Sequence, residues 1–219
     1  MKLLNISRYS SIVFITLLAL LHLIDSNVNP KWQPISEYAL GKMGWLMNIA
    51  FCSLGVSFLG LGYYIVKNIP RLGSKIGGWL LIVSSVGNFV AAIWNTDRAG
   101  TTAEQMTTSG QIHSSAAGLL GFMVLATLFI LYQFYKQEVL NKYKNKIFVI
   151  TALLWLFEIS LIVTLGVFLS KTNGILTPET AVGWLGRVVI ICCAIWIWIC
   201  STLFMNASNI NLKTQMKIN

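Results

Sequence analysis

Six long apolar stretches dominate the chain, at about Tyr9–Ile24, Trp45–Val66, Gly77–Trp94, Ser114–Tyr135, Ile147–Leu169 and Gly183–Phe204. Their lengths lie near the roughly 20 residues with which an α-helix crosses the hydrocarbon core of a bilayer. A backbone surrounded by lipid must satisfy its own N–H and C=O groups, so these runs predict spanning helices. The first run follows Lys2 and Arg8 and so resembles a secretory leader. The residues closing it, His22-Leu23-Ile24-Asp25-Ser26-Asn27, offer no small-x-small cleavage site, and a retained first helix is expected. Ser53, Ser57 and Gly60 share one helical face, and Ala117 and Gly121 another, a spacing that lets helices approach closely in lipid. Trp45, Trp79, Trp94 and Trp184 fall near span ends, where indoles favour the interface. No span stands out as broken by Gly or Pro, and no repeat relates the two halves.

Composition supports the same reading. The chain has 219 residues, 56% hydrophobic and 11% charged, against about 25% charged in soluble domains. The expected architecture is all-α: one integral membrane bundle of six transmembrane helices, with residues 1–219 as a single domain. The net charge of +9 does not indicate nucleic acid, because the basic residues are dispersed through short segments between apolar runs. Lys2, Arg8, Lys67, Arg71, Lys75, Lys136, Lys142, Lys144, Lys146, Lys213 and Lys217 fall on one side of the predicted topology. Lys and Arg concentrate in cytoplasmic loops, so both termini are expected in the cytoplasm. Cys52, Cys192, Cys193 and Cys200 all lie inside apolar runs, where they read as packing residues without a disulfide framework.

The polar residues that matter gather at the opposite, outer face. His22 and Asp25 close the first span, and Pro34-Ile35-Ser36-Glu37-Tyr38 follows, expected to open the second helix. Asn95-Thr96-Asp97-Arg98 ends the third, Gly110-Gln111-Ile112-His113-Ser114 begins the fourth, and Arg187 stands about one turn into the sixth. Two histidines and a carboxylate form a recognised catalytic zinc set that leaves a position for water. His22, His113 and Asp97 are the candidate metal ligands, with Asp25 or Glu37 orienting a ring nitrogen. A polar cluster with only a structural role fits the same residues, since no tight metal motif such as His-Glu-x-x-His is present. Glu158, near the middle of the fifth span, and Arg187 are ionisable groups inside apolar runs, which face a bundle interior and find partners. Arg187 is expected to pair with Glu158, Asp97 or Glu37. Such charges imply either a polar cavity or an ion pair that fixes helix register.

Ile35-Ser36-Glu37-Tyr38-Ala39-Leu40-Gly41, followed by Gly44-Trp45-Leu46-Met47, resembles the signature of the domain-of-unknown-function 998 family of multi-pass membrane proteins. Thr96-Asp97, Gly110-Gln111-Ile112-His113 and Gly183-Trp184-Leu185-Gly186-Arg187 are similar to it as well, and His22 stands where that family closes its first helix with histidine. Asn95 and Gly186 depart from it, at positions where a proline and an acidic residue are expected. The resemblance implies a bacterial or archaeal cell-membrane protein of about six helices, in a prokaryote the inner membrane. It implies no activity.

The leading functional expectation is an outer-facing polar pocket for a membrane-soluble or amphiphilic small molecule, lined by His22, Glu37, Asp97, His113 and Arg187. Arg187 would anchor an anionic headgroup, with Ser36, Tyr38 and Glu158 as further ligand contacts. Three alternatives stay open. One is an intramembrane hydrolase using a divalent metal such as zinc, with Glu37 and Asp97 as catalytic carboxylates. Another is electron transfer through one b-type haem held by His22 and His113. The third is a secondary transporter that depends on Glu158.

Overall fold

The computed structural model describes residues 1–172 and 174–218, with side chains up to Asn209 in the final helix. The side chains of Lys213 and Lys217 therefore lie outside the described residues. The helices are α1 Lys2–Ile24, α2 Gly44–Asn68, α3 Leu72–Ile93, α4 Thr108–Gly118, α5 Leu120–Lys136, the single turn α6 Glu138–Asn141, α7 Lys144–Lys171 and α8 Val182–Ile218. With α4 and α5 taken as one run, six helical runs among the described residues are long and apolar enough to cross a membrane. They coincide with the six apolar stretches. The helices overrun those stretches into basic residues, whose long stems can lie along apolar surface while the charge reaches water. Between α2 and α3, Pro70 disfavours helical backbone at Ile69, which is extended (φ −110°, ψ 111°) and ends α2.

Successive spans pack as neighbours: α1 on α2, α2 on α3, α3 on α5, α5 on α7 and α7 on α8, with α8 returning to α1. Phe14, Leu54, Phe58, Phe134 and Trp196 fill the core. A hydroxyl chain crosses the α8–α1–α2 junction, where Ser201 Oγ donates to Ser7 Oγ (3.1 Å) and Ser7 Oγ donates to Ser57 O (2.6 Å). Gly60 lies against Leu3 O and Ser7, so the small face expected on the second span is a true helix contact at Ser57 and Gly60. α7 is the least buried span and is tied in at two points. Trp155 Nε1 donates to Thr127 Oγ1 on α5 (3.1 Å), and Trp196 Nε1 on α8 donates to Thr151 Oγ1 (2.8 Å).

Two expectations are corrected. Pro34–Tyr38 does not open the second helix: Ile35–Leu40 is a separate 3-10 turn, followed by extended Gly41 (φ −82°, ψ 172°), and α2 begins only at Gly44. The fourth span is also broken. At Leu119 the bonds tighten to three-residue spacing, with Leu119 N–H on Ala116 O (3.1 Å) and Phe122 N–H on Leu119 O (3.1 Å). Ser84 Oγ from α3 reaches the break and donates to Leu119 O (2.8 Å). A partner from a neighbouring helix for a freed backbone group is how bundles tolerate such interruptions.

Candidate functional site

One end of the bundle carries the long connections α1–α2 and α3–α4 together with the α7–α8 connection, and the chemistry is built there. The segment 30–33 lies directly on the first turn of α8. A Cβ at Gly183 would stand 2.6 Å from Pro30 O, 2.7 Å from Trp32 N and 2.8 Å from Gln33 O, so only glycine admits this approach. Trp184 N–H donates to Lys31 O (3.2 Å) and holds the segment down. The carbonyls of residues 30 and 33 are thereby presented to Arg187, one helical turn further on.

Arg187 is 2% exposed. Its Nη1 donates to Gln33 O (2.6 Å), Gly183 O (3.0 Å) and Pro30 O (3.2 Å), and its Nε donates to His22 Nε2 (2.8 Å). Nη2 is buried without a partner. The Tyr38 ring lies 5.8 Å from the guanidinium carbon and 5.1 Å from the His22 ring, edge-on to the latter. The tautomer of His22 follows from these bonds. Leu18 O, 2.7 Å from Nδ1, can only accept, so Nδ1 carries the proton and Nε2 is the acceptor for Arg187. Arg187 bonds no carboxylate among the described residues, which corrects the expected pairing with Glu158, Asp97 or Glu37. Its Nε and Nη1 donors serve the fold, and Nη2 is the one end of the guanidinium left without a partner among the described residues.

The carboxylates at this end serve loops. Glu37 is 4% exposed. Its Oε1 accepts from Ala99 N–H (2.8 Å) and its Oε2 from Gln33 Nε2 (2.6 Å), joining the α1–α2 and α3–α4 connections. Asp97 accepts from Thr107 N–H (2.8 Å) and Thr107 Oγ1 (2.9 Å), while Thr107 Oγ1 accepts from Gly110 N–H (3.0 Å) as the N-cap of α4. Asp25 closes an Asx turn through Asn27 N–H (3.1 Å). A polar crevice of about 280 Å³ runs past Asp25, Glu37, Lys42 and Arg98.

Burial pushes the Glu37 carboxyl above its ordinary value of 4.5, and the two hydrogen bonds, Arg98 and Arg187 pull it partly back. A raised carboxylate pKa means the folded protein holds the proton more tightly than the unfolded chain. The stability Glu37 contributes is full below pH 4.5 and declines as pH rises through the folded value. Glu37→Gln is expected to abolish that part of the decline, read as the detergent unfolding midpoint against pH. A variant whose midpoint runs parallel to wild type would contradict it.

The candidate metal trio is not assembled. His22 Nε2 is engaged by Arg187, both Asp97 oxygens are engaged by Thr107, and His113 Nδ1 lies 2.8 Å from Trp94 O, to which it donates. No three His, Cys, Asp or Glu among the described residues are grouped to hold a metal ion. The two imidazoles also occupy different settings, His22 against Tyr38 and His113 against Phe51 (5.9 Å), so the pair sought for a haem is not presented either.

Instead, a cavity of about 420 Å³ opens beside the Arg187 cluster. Ser36, Asn88, His113 and Glu158 are its main polar lining residues, set among aliphatic side chains of α7 and α8. Gly118, Gly121 and Gly186 line it with nothing within 4 Å of where a Cβ would stand. Ala117 and Gly121, expected as a helix contact, are cavity wall. A second hollow of about 400 Å³ on the α5–α7 face shares Gly118, Gly121 and Glu158 with the first. Of the sequence candidates, then, Ser36, His113 and Glu158 meet the cavity, His22, Tyr38 and Arg187 form the buried cluster beside it, and Glu37 and Asp97 hold loops. Asn88 was not singled out from the sequence, because a lone amide in an apolar run carries no motif.

A family model described as "Protein of unknown function (DUF998)" matches residues 10–203. The chain belongs to the DUF998 family. Neither a curated protein nor a solved structure matched it. The DUF998 match runs from α1 far into α8 and takes in both the Arg187 cluster and the cavity. The segments on which the resemblance rests have structural places in this DUF998 protein. Ile35–Leu40 is the 3-10 turn, Asp97 holds Thr107, the N-cap of α4, and Gly183 with Arg187 clamps the α1–α2 connection.

Proposed function

We propose that this DUF998 protein is a multi-pass membrane protein that binds a membrane-soluble or amphiphilic small molecule in the cavity between α3, α4–α5, α7 and α8. The loop-bearing end faces outward and both termini lie in the cytoplasm, as the Lys and Arg distribution has it. A single observation carries the reading: a volume of about 420 Å³ inside the usual ~300–1,000 Å³ range of ligand sites, mostly apolar with a few polar groups. The adjoining hollow on the α5–α7 face, sharing Gly118, Gly121 and Glu158, supplies an entry from lipid.

The test uses the open glycines. At Gly121 a Cβ would meet no neighbouring atom within 4 Å, so Gly121→Leu starts from open space and projects its side chain into the cavity. Replacing this helical glycine, in the first turn of α5, is expected to leave stability unchanged or raise it by up to about 1 kcal/mol. Binding of the neutral fluorophore N-phenyl-1-naphthylamine in phosphatidylcholine nanodiscs is expected to weaken at least about tenfold, ~1.4 kcal/mol. Equal binding by wild type and Gly121→Leu would overturn the cavity reading. A transporter reading draws on the break at Leu119, since interrupted helices often frame substrate sites. Substrate flux unchanged by Glu158→Gln would set it aside.

A further inference from the structure

The cavity's polar lining is weighted towards acceptors. Among the described residues, Glu158 is its only charged lining residue, and no Lys or Arg reaches its wall. Its carboxyl group has neither a hydrogen-bond nor an ion-pair partner among the described residues. His113 spends its Nδ1–H on Trp94 O, which leaves Nε2 as a lone-pair acceptor. Asn88 donates through Nδ2 to Ser84 O (2.9 Å), and its Oδ1 accepts no bond among the described residues. Three acceptor groups, on Glu158, His113 and Asn88, thus stand beside the cavity, with the Ser36 hydroxyl as the principal donor facing them. Arg187, beside the cavity, bonds His22 and three carbonyls, keeps Nη2 buried without a partner, and does not line the cavity.

We infer that the ligand is a cationic amphiphile, a protonated alkylamine or a lipid-like molecule with an ammonium head, whose N–H groups meet Glu158 while its chain lies along the aliphatic wall of α7 and α8. This rests on the cavity reading and reverses the anionic headgroup that Arg187 suggested. An unpaired carboxylate inside a span is costly and is relieved by an opposite charge in the same low-dielectric space. An ammonium brings several donors to a site where the Glu158 carboxyl, the His113 Nε2 and the Asn88 Oδ1 can all accept. Glu158 also borders the lipid-facing hollow, so a head entering from the bilayer meets the carboxylate at the threshold.

Competition separates the two claims. N-phenyl-1-naphthylamine bound to protein in phosphatidylcholine nanodiscs is displaced by decylammonium, decanol or decanoate, compared at equal bilayer-bound concentration. Decylammonium is expected to displace the probe at least about tenfold more effectively than decanol, with decanoate weakest. In Glu158→Gln, which keeps the side-chain shape, the ratio of decylammonium to decanol displacement is expected to fall to near one, a readout independent of how tightly the fluorophore itself binds. If all three compounds displace equally in wild type, or if the amine preference survives in Glu158→Gln, the assignment of the head falls while the cavity stands. If Gly121→Leu binds the fluorophore as wild type does, the cavity itself falls and the assignment with it.

Discussion

Replacing Arg187 with leucine is expected to lower the detergent unfolding midpoint by about 6 °C or more, from a loss on the order of 3 kcal/mol or above. Two effects oppose each other. Removing a buried cation relieves its desolvation, and a buried ion replaced by a well-fitting apolar residue is sometimes neutral. Here the acceptors stay behind. Pro30 O, Gln33 O and His22 Nε2 lose their donor together, and each buried acceptor left unmet costs about 1–3 kcal/mol. Leucine is also shorter than arginine and leaves space over the Tyr38 ring. The orphaned acceptors should win. Arg187→Lys is expected to fall between, since one ammonium cannot occupy the Nε and Nη1 positions at once. A midpoint for Arg187→Leu equal to wild type would show that the cluster does not hold the fold.

Gly183→Ala is expected to be equally damaging, although it adds a single methyl group. The three atoms it would meet, Pro30 O, Trp32 N and Gln33 O, all belong to the backbone and cannot rotate away. The segment 30–33 must lift, which stretches the Trp184 N–H bond to Lys31 O and withdraws both loop carbonyls from Arg187. Gly186→Ala is the control, three residues along the same helix with nothing within 4 Å, and should be neutral or stabilising by up to about 1 kcal/mol. Since Gly183→Ala and Arg187→Leu disrupt the same clamp, the double variant should lose much less than the sum of the singles. Additive losses in unfolding measurements would mean that the two residues act separately.

Parts of the site were legible in the chain and parts were not, for a definable reason. Glu158 and Arg187 stand out because an ionisable residue in an apolar run is conspicuous without any structure, and His113 because the chain has only two histidines. What each one faces depends on rotation about a helix axis, where one residue step is about 100°. A span's hydropathy hardly changes with that angle, yet the angle decides whether His22 meets Arg187 or a metal. The tautomer of His22, and the use of Asp97 as a cap partner, depend on loop paths that leave no window-scale signal. The break at Leu119 was equally hidden, since Gly118 and Gly121 also fit ordinary close packing of helices.

The amino-acid sequence alone determined that the protein is helical, that it carries six segments long and apolar enough to cross a membrane, and which family it belongs to. Burial of apolar side chains in lipid is a local, additive property that a run of twenty residues already declares. Tertiary structure alone decided that Gly183 and Gly186 do opposite things, one receiving a loop and the other bordering a void. It also decided that the arginine serves the fold while an unpaired acid is left at the cavity. Those outcomes depend on where separate segments converge, to within an ångström, and no stretch of a single helix carries that information.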